Sequence, residues 1–143
     1  MNEDIFHLGI KALIFNKEGK VLLLKVNLEE LRGHNGEPYW DIPGGRIRKN
    51  DNVENTLRRE VIEETGLEIS RFEPFTMVVS NIRIPQSDGS DVGLVLSVFK
   101  CSAENTDGII LSKEHTDYKW FPKEEAGKLL SVKYPKEFTE KIH

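Results

Sequence analysis

Glu60, Glu63 and Glu64 stand three and four positions apart, a spacing that puts three carboxylates on one face of a helical segment. Three negative charges this close repel one another, and a helix tolerates them poorly unless something offsets the charge. A hard divalent cation does so, because carboxylate oxygens are the ligands that Mg2+ prefers. Gly44-Gly45 lies just upstream, where backbone without side chains can approach closely and a carbonyl could complete the coordination. A glutamate-rich helix face alone is usually solvated surface, so the surrounding elements and the spacing of the whole segment decide between the two.

The segment does read as a helix. Residues 52–65 carry Val53, Leu57 and Val61 four apart as an apolar stripe for the core. Asp51 is the expected N-cap, with Glu54 as its capping-box partner three positions on. Gly66 follows the last turn, where a left-handed residue usually closes a helix. Upstream, the aliphatic runs 8–15 (LGIKALIF) and 21–26 (VLLLKV) flank a Gly19-containing reversal and predict a hairpin. Residues 27–38, with Gly33, Gly36 and Pro38, read as a loop, and a short strand at Tyr39–Ile42 runs into Pro43-Gly44-Gly45. Downstream, 75–84 and 92–100 are strand-like around a reversal at 86–91. A strand near 118–121 leads through Pro122 to a helix at 123–130, with another at 135–142. No repeat and no second composition regime is visible, which makes residues 1–143 one mixed α/β domain.

The length of 143 residues and mass of 16.4 kDa suit one domain. A net charge of −4 argues against a duplex nucleic-acid binder, which is usually basic. One cysteine, Cys101, excludes an internal disulfide framework, and His7, His34, His115 and His143 are too scattered for a zinc motif. The acidic start, Met1-Asn2-Glu3-Asp4, lacks the pattern of a secretory signal, and no apolar run approaches the ~20 residues of a membrane span. The expectation is a soluble cytoplasmic protein without a membrane partner.

Residues 45–67 (GRIRKNDNVENTLRREVIEETGL) resemble the Nudix box, Gly-x5-Glu-x7-Arg-Glu-U-x-Glu-Glu-x-Gly-U with U aliphatic. Gly45, Arg59, Glu60, Val61, Glu63, Glu64, Gly66 and Leu67 match, and average residue usage puts a chance match on the order of one in 10⁵. Asp51 is the one departure, standing where the family has Glu. The lead-in Trp40-Asp41-Ile42-Pro43-Gly44-Gly45 resembles the family's aromatic-x-aliphatic-Pro-Gly-Gly. Glu114 to Trp120 resembles a C-terminal element of the same family.

The resemblance implies an α/β/α sandwich around a mixed β-sheet, carrying the box as loop-helix-loop. It implies Mg2+-dependent cleavage of a phosphoanhydride in a nucleoside diphosphate linked to a group X, giving nucleotide and phospho-X, with Mn2+ as a substitute ion. Glu63 and Glu64 would ligate the metal with the Gly44 carbonyl and Glu114 beside them. Glu60 would orient or deprotonate the attacking water, and in some relatives this position also binds metal. Arg59 would reach back to acidic groups and fix their rotamers, with Gly45, Asp51 and Gly66 as structural support. Arg46, Arg48 and Lys49 follow the double glycine and are candidates for diphosphate oxygens. Tyr39 is a candidate for stacking on the base, Trp40 reads as core, and His115 reads as a loop bystander.

Loops 27–38, 85–91 and 102–117 are the candidates for choosing X. Arg83-Ile84-Pro85 stands where dinucleoside polyphosphate hydrolases tend to place a tyrosine, and Pro85 comes slightly later than the proline of ADP-ribose enzymes. Elimination and size favour a MutT-like enzyme acting on nucleoside triphosphates. An ADP-ribose or nucleotide-sugar pyrophosphatase is the runner-up, and a non-hydrolytic nucleotide sensor on the same fold is the rival from another class. A homodimer is compatible with these features.

Overall fold

A computed structural model of the chain describes residues 2–27 and 38–142. The chain runs through β1 (Phe6–Phe15), β2 (Val21–Val26), β3 (Trp40–Asp41), β4 (Gly44–Arg46), α1 (Val53–Thr65), β5 (Ile69–Val79) and β6 (Ile84–Pro85). It continues through β7 (Asp91–Ala103), β8 (His115–Phe121), α2 (Lys123–Leu129) and α3 (Lys136–Thr139). The sheet has the order β3-β2-β1-β7-β5, with β4 also on β1, β6 on β7 and β8 on β2. β1 and β7 are parallel and the other pairings are antiparallel, so the sheet is mixed.

Two-residue alternation along β1 and β2 sends side chains to opposite faces. Leu13, Val21 and Leu23 pack with Ala126, Leu130, Tyr134 and Phe138 from the C-terminal segment that holds α2 and α3. Ile10, Ala12, Ile14, Leu22 and Leu24 pack with Leu57 and Val61 of α1. Both strands are aliphatic on both faces because helices cover the sheet on both sides. This is the expected α/β/α sandwich. Among the described residues, no helix is long and apolar enough to cross a membrane.

Gly19 closes the β1–β2 reversal at φ 75°, with its N–H on the Asn16 carbonyl, as expected of this hairpin. The loop expected at 27–38 falls almost wholly outside the described residues. Several boundaries move, among them the start of β8, at His115 rather than near 118, and the end of β5, at Val79 rather than 84. β5 begins at Ile69 rather than near 75, because it follows β7 out to Ala103. Its early residues hide the strand, since Pro74 sits among the charged Arg71 and Glu73. A register irregularity between Pro74 and Thr76 accommodates the proline, as an edge strand allows. The segment expected to be helical over 135–142 keeps only the turn Lys136–Thr139, and α2 gives way to a 3-10 turn at Leu130–Val132.

The start of α1 also differs from expectation. Asn52, not Asp51, is the N-cap, its side-chain oxygen accepting from the Asn55 N–H at 2.8 Å. Asp51 is drawn away by Arg59, and Glu54 pairs with Arg58 at 3.1 Å rather than closing a capping box. Val53 is 37% exposed at the helix mouth, so Leu57 and Val61 carry the stripe. Gly66 ends the helix as expected, at φ 77° with its N–H on Ile62.

Candidate active site

Burying Leu57 and Val61 against the sheet turns the acidic face of α1 toward β4, the short strand carrying the double glycine. Glu64 is 5% exposed, and its Oε1 accepts the Gly44 N–H at 2.7 Å. The closeness of β4 to its neighbours explains both glycines. Gly44 has φ 145°, and a Cβ there would lie 2.1 Å from the Ile10 carbonyl oxygen. A Cβ on Gly45 would lie 2.4 Å from the carboxyl carbon of Glu60. Any side chain at either position would push the strand off β1 or the glutamate out of place.

Arg59 gathers the acidic groups around it. It bonds Asp51, which the shorter aspartate reaches without difficulty, and stands 3.4 Å from Glu60 Oε1 and 3.9 Å from Glu63 Oε1. The hydrogen bond from Arg59 holds the Asp51 carboxyl below its usual range. Glu63 is half exposed at 52%, while Glu60 is largely covered.

The three glutamates share a cleft of about 180 Å3 with Arg48, Ser112, Lys113 and Glu114. At its edge stands His115, the first residue of β8, its side chain 8% exposed. Among the described residues, His115 Nδ1 has no hydrogen-bond partner, and it lies 4.0 Å from Glu64 Oε2. One ligand atom from each of Glu64, Glu114 and His115 falls within 4.8 Å of the others. Burial pushes Glu64 up to about 8. The Lys11 ammonium and the Gly44 N–H oppose that rise, and Glu60 and Glu114 add to it. Burial also pushes His115 down to about 4. A buried carboxylate short of positive charge, beside an unpartnered imidazole nitrogen and a second carboxylate, is a donor set that fits a divalent cation.

The raised Glu64 carboxyl has a consequence for stability. Unfolded, it loses its proton near its ordinary 4.5; folded, only near 8. Its contribution is therefore complete below about 4.5 and is lost as pH rises through about 8. His115 works in the opposite sense below its ordinary 6.5, so the window from about 6.5 to 8 isolates Glu64. Thermal melts in chelator are expected to show the metal-free protein losing stability across that window. Glu64→Gln is expected to flatten the loss, and an equal slope in both proteins would contradict the assignment.

A buried charge network lies close enough to act on Glu64 and His115. Asp41 accepts from Lys133 Nζ at 2.6 Å, Tyr134 Oη at 2.6 Å and Lys11 Nζ at 3.3 Å. Burial alone would raise the Asp41 carboxyl, yet the two ammonium groups and the phenol hold it well below its usual range.

Of the residues expected at the substrate, Arg48 lines the cleft and the others lie elsewhere. Arg46 Nη1 is 3.0 Å from His7 Nδ1, and Lys49 is exposed outside the cleft lining. Tyr39 is 5% exposed, with its phenol pushed up to about 12 by burial and its carbonyl accepting from Val26. A tyrosine so covered is core, which corrects the stacking expectation for it. Trp40 is core as read, edge-on to Phe121 at 5.0 Å. Ser112 and Lys113 were not singled out individually in the sequence, although they fall within loop 102–117, one of the candidates for choosing X. His115, read in the sequence as a loop bystander, stands with its side chain covered and its Nδ1 4.0 Å from Glu64 Oε2.

A family model described as NUDIX domain matches residues 5–142. The nucleoside triphosphatase NudI of Salmonella typhimurium is 34% identical over 91 residues, covering 60% of this chain and 63% of that protein. The match thus spans less than two thirds of that relative. The crystal structure of the MutT protein from Methanosarcina mazei Go1 superposes with a TM-score of 0.69 at 26% identity, over 99% of this chain and 94% of the other. A NUDIX hydrolase from Nitrosomonas europaea, 16% identical, has the same fold, with a TM-score of 0.65 over 95% of this chain and 84% of that one.

Proposed function

The chain belongs to the NUDIX domain family, and from that premise we propose that it hydrolyses nucleoside triphosphates to nucleoside monophosphate and pyrophosphate. The observation that carries the reading is the single cleft joining Glu60, Glu63, Glu64 and Glu114 to the cations Arg48 and Lys113. Similarity to a nucleoside triphosphatase and to a MutT protein supports the choice of substrate.

Glu60, Glu63 and Glu64 would hold Mg2+, with Glu114 and the Gly44 carbonyl beside them. When bound, the ion neutralises charge on the phosphoryl oxygens and lowers the pKa of water. Arg48 and Lys113 bind diphosphate oxygens from the cleft wall. Glu60, held beside Arg59 and over Gly45, accepts the proton of the attacking water. Water oxygen bonds to one phosphorus of the α–β anhydride, the bridging P–O bond breaks, and the group beyond it, pyrophosphate or nucleoside monophosphate, departs as an anion. Arg59 orients Glu60 and Glu63 without touching the substrate, and the Gly44 N–H fixes the rotamer of Glu64. The substrate is a small nucleotide, and the cytoplasm is the compartment we infer.

The test is phosphate release with Mg2+ on a nucleotide panel. Nucleoside triphosphates are coupled to inorganic pyrophosphatase; ADP-ribose, nucleotide sugars and dinucleoside polyphosphates are coupled to alkaline phosphatase. Turnover of a triphosphate, with pyrophosphate as the product, is the expected result. Activity confined to the second group would replace the substrate. Tight nucleotide binding without any turnover would make the protein a sensor.

A further inference from the structure

Glu64 divides its two oxygens between different tasks. Oε1 is held by the Gly44 N–H, whereas Oε2 faces His115 Nδ1 across 4.0 Å. That separation is too long for a hydrogen bond. It suits two donors on one ion, since ligand atoms about 2.1 Å from a shared cation lie at most about 4.2 Å apart. The Glu114 carboxylate stands close enough to join them, the three ligand atoms all falling within 4.8 Å of one another, a spread that a bound ion would draw in by about half an ångström. The imidazole is a second, independent pointer besides the carboxylates. It is more than nine-tenths buried, aimed into the cluster, and its Nδ1 has no partner among the described residues. An unpaired polar nitrogen in such a place carries a desolvation cost that a ligand would remove.

We propose that Glu64, Glu114 and His115 form a mixed nitrogen–oxygen cation position that selects Mn2+, as a first-row transition ion, over Mg2+. This rests on the reading of the cleft as a metal-dependent hydrolytic site and goes beyond it by naming a histidine ligand and the ion class it favours. Imidazole nitrogen binds transition ions well and Mg2+ poorly, because Mg2+ holds to oxygen donors and its own water. The acidic face of α1 by itself would not discriminate in this way.

Mn2+ is the probe. Its binding to the full chain is followed by the loss of the free-ion electron paramagnetic resonance signal, and its ligands by electron spin echo envelope modulation. The expected result is saturable Mn2+ binding with an imidazole 14N coupling that disappears in His115→Ala. The preference for Mn2+ over Mg2+, from calorimetry, should fall about tenfold or more in that variant. The wild-type spectrum decides the matter even if His115→Ala folds poorly. Saturable Mn2+ binding that Glu64→Gln weakens, but with no 14N coupling, would overturn the histidine ligand and leave the hydrolytic reading standing. Absence of saturable binding would overturn both.

Discussion

Glu64→Gln is expected to lower turnover of the accepted nucleotide by about two to four orders of magnitude while leaving the fold intact. The substitution keeps an oxygen to accept the Gly44 N–H and removes only the charge. Glu64 is 5% exposed, so no water can stand in for that charge. Glu63 is 52% exposed, and its replacement by Gln should cost less because solvent can screen the loss. The check is steady-state kinetics across a Mg2+ titration, alongside a thermal melt in chelator. The melt should show a variant at least as stable as wild type above about pH 6.5, since glutamine does not ionise on unfolding and the proton-linked loss of stability is gone. Near-normal turnover of Glu64→Gln at low Mg2+ would remove this residue from the ligand set.

Asp41→Ala is expected to destabilise the protein by about 3–5 kcal/mol, as for breaking a buried ion pair from one side. Two ammonium groups, on Lys11 and Lys133, and the hydroxyl of Tyr134 converge on its carboxylate. Removing that carboxylate strands positive charge in the interior. Lys11 also faces Gly44 across the β1–β4 ladder, so the loss reaches the strand that places the double glycine. Urea unfolding measures the change. Adding Lys11→Met to Asp41→Ala should recover part of it, because an apolar replacement removes one stranded charge. A loss below about 1 kcal/mol for the single variant would mean that water reaches these groups.

Local patterns made much of the fold legible. The runs at 8–15 and 21–26 around Gly19 read as the two strands of a hairpin, and Leu57 and Val61 marked the buried side of α1. That Glu60, Glu63 and Glu64 share a face followed from the helical period, which also sets Glu64 beside the buried stripe, seven residues after Leu57. Patterns misled where a local choice was settled by a distant partner. Asp51 and Asn52 are both good N-caps; Arg59 takes the first, leaving the second to cap the helix. Tyr39 has the chemistry to stack on a base, yet its place beside β2 buries it. The charged start of β5 looked like loop because one face of an edge strand meets solvent.

Spacing along the chain by itself determined the acidic helix face, the double glycine before it, and the family to which the chain belongs. Those features lie within one turn or one strand, where the backbone period dictates what stands beside what. The tertiary structure alone decided that His115, some fifty residues beyond α1, comes to Glu64 together with Glu114, because β8 joins the sheet beside β2; for Glu114 the resemblance had implied that place. It alone decided that Lys11, Asp41 and Lys133 share one buried site. Contacts between charges so far apart in sequence depend on strand order and register, and no local period carries that information.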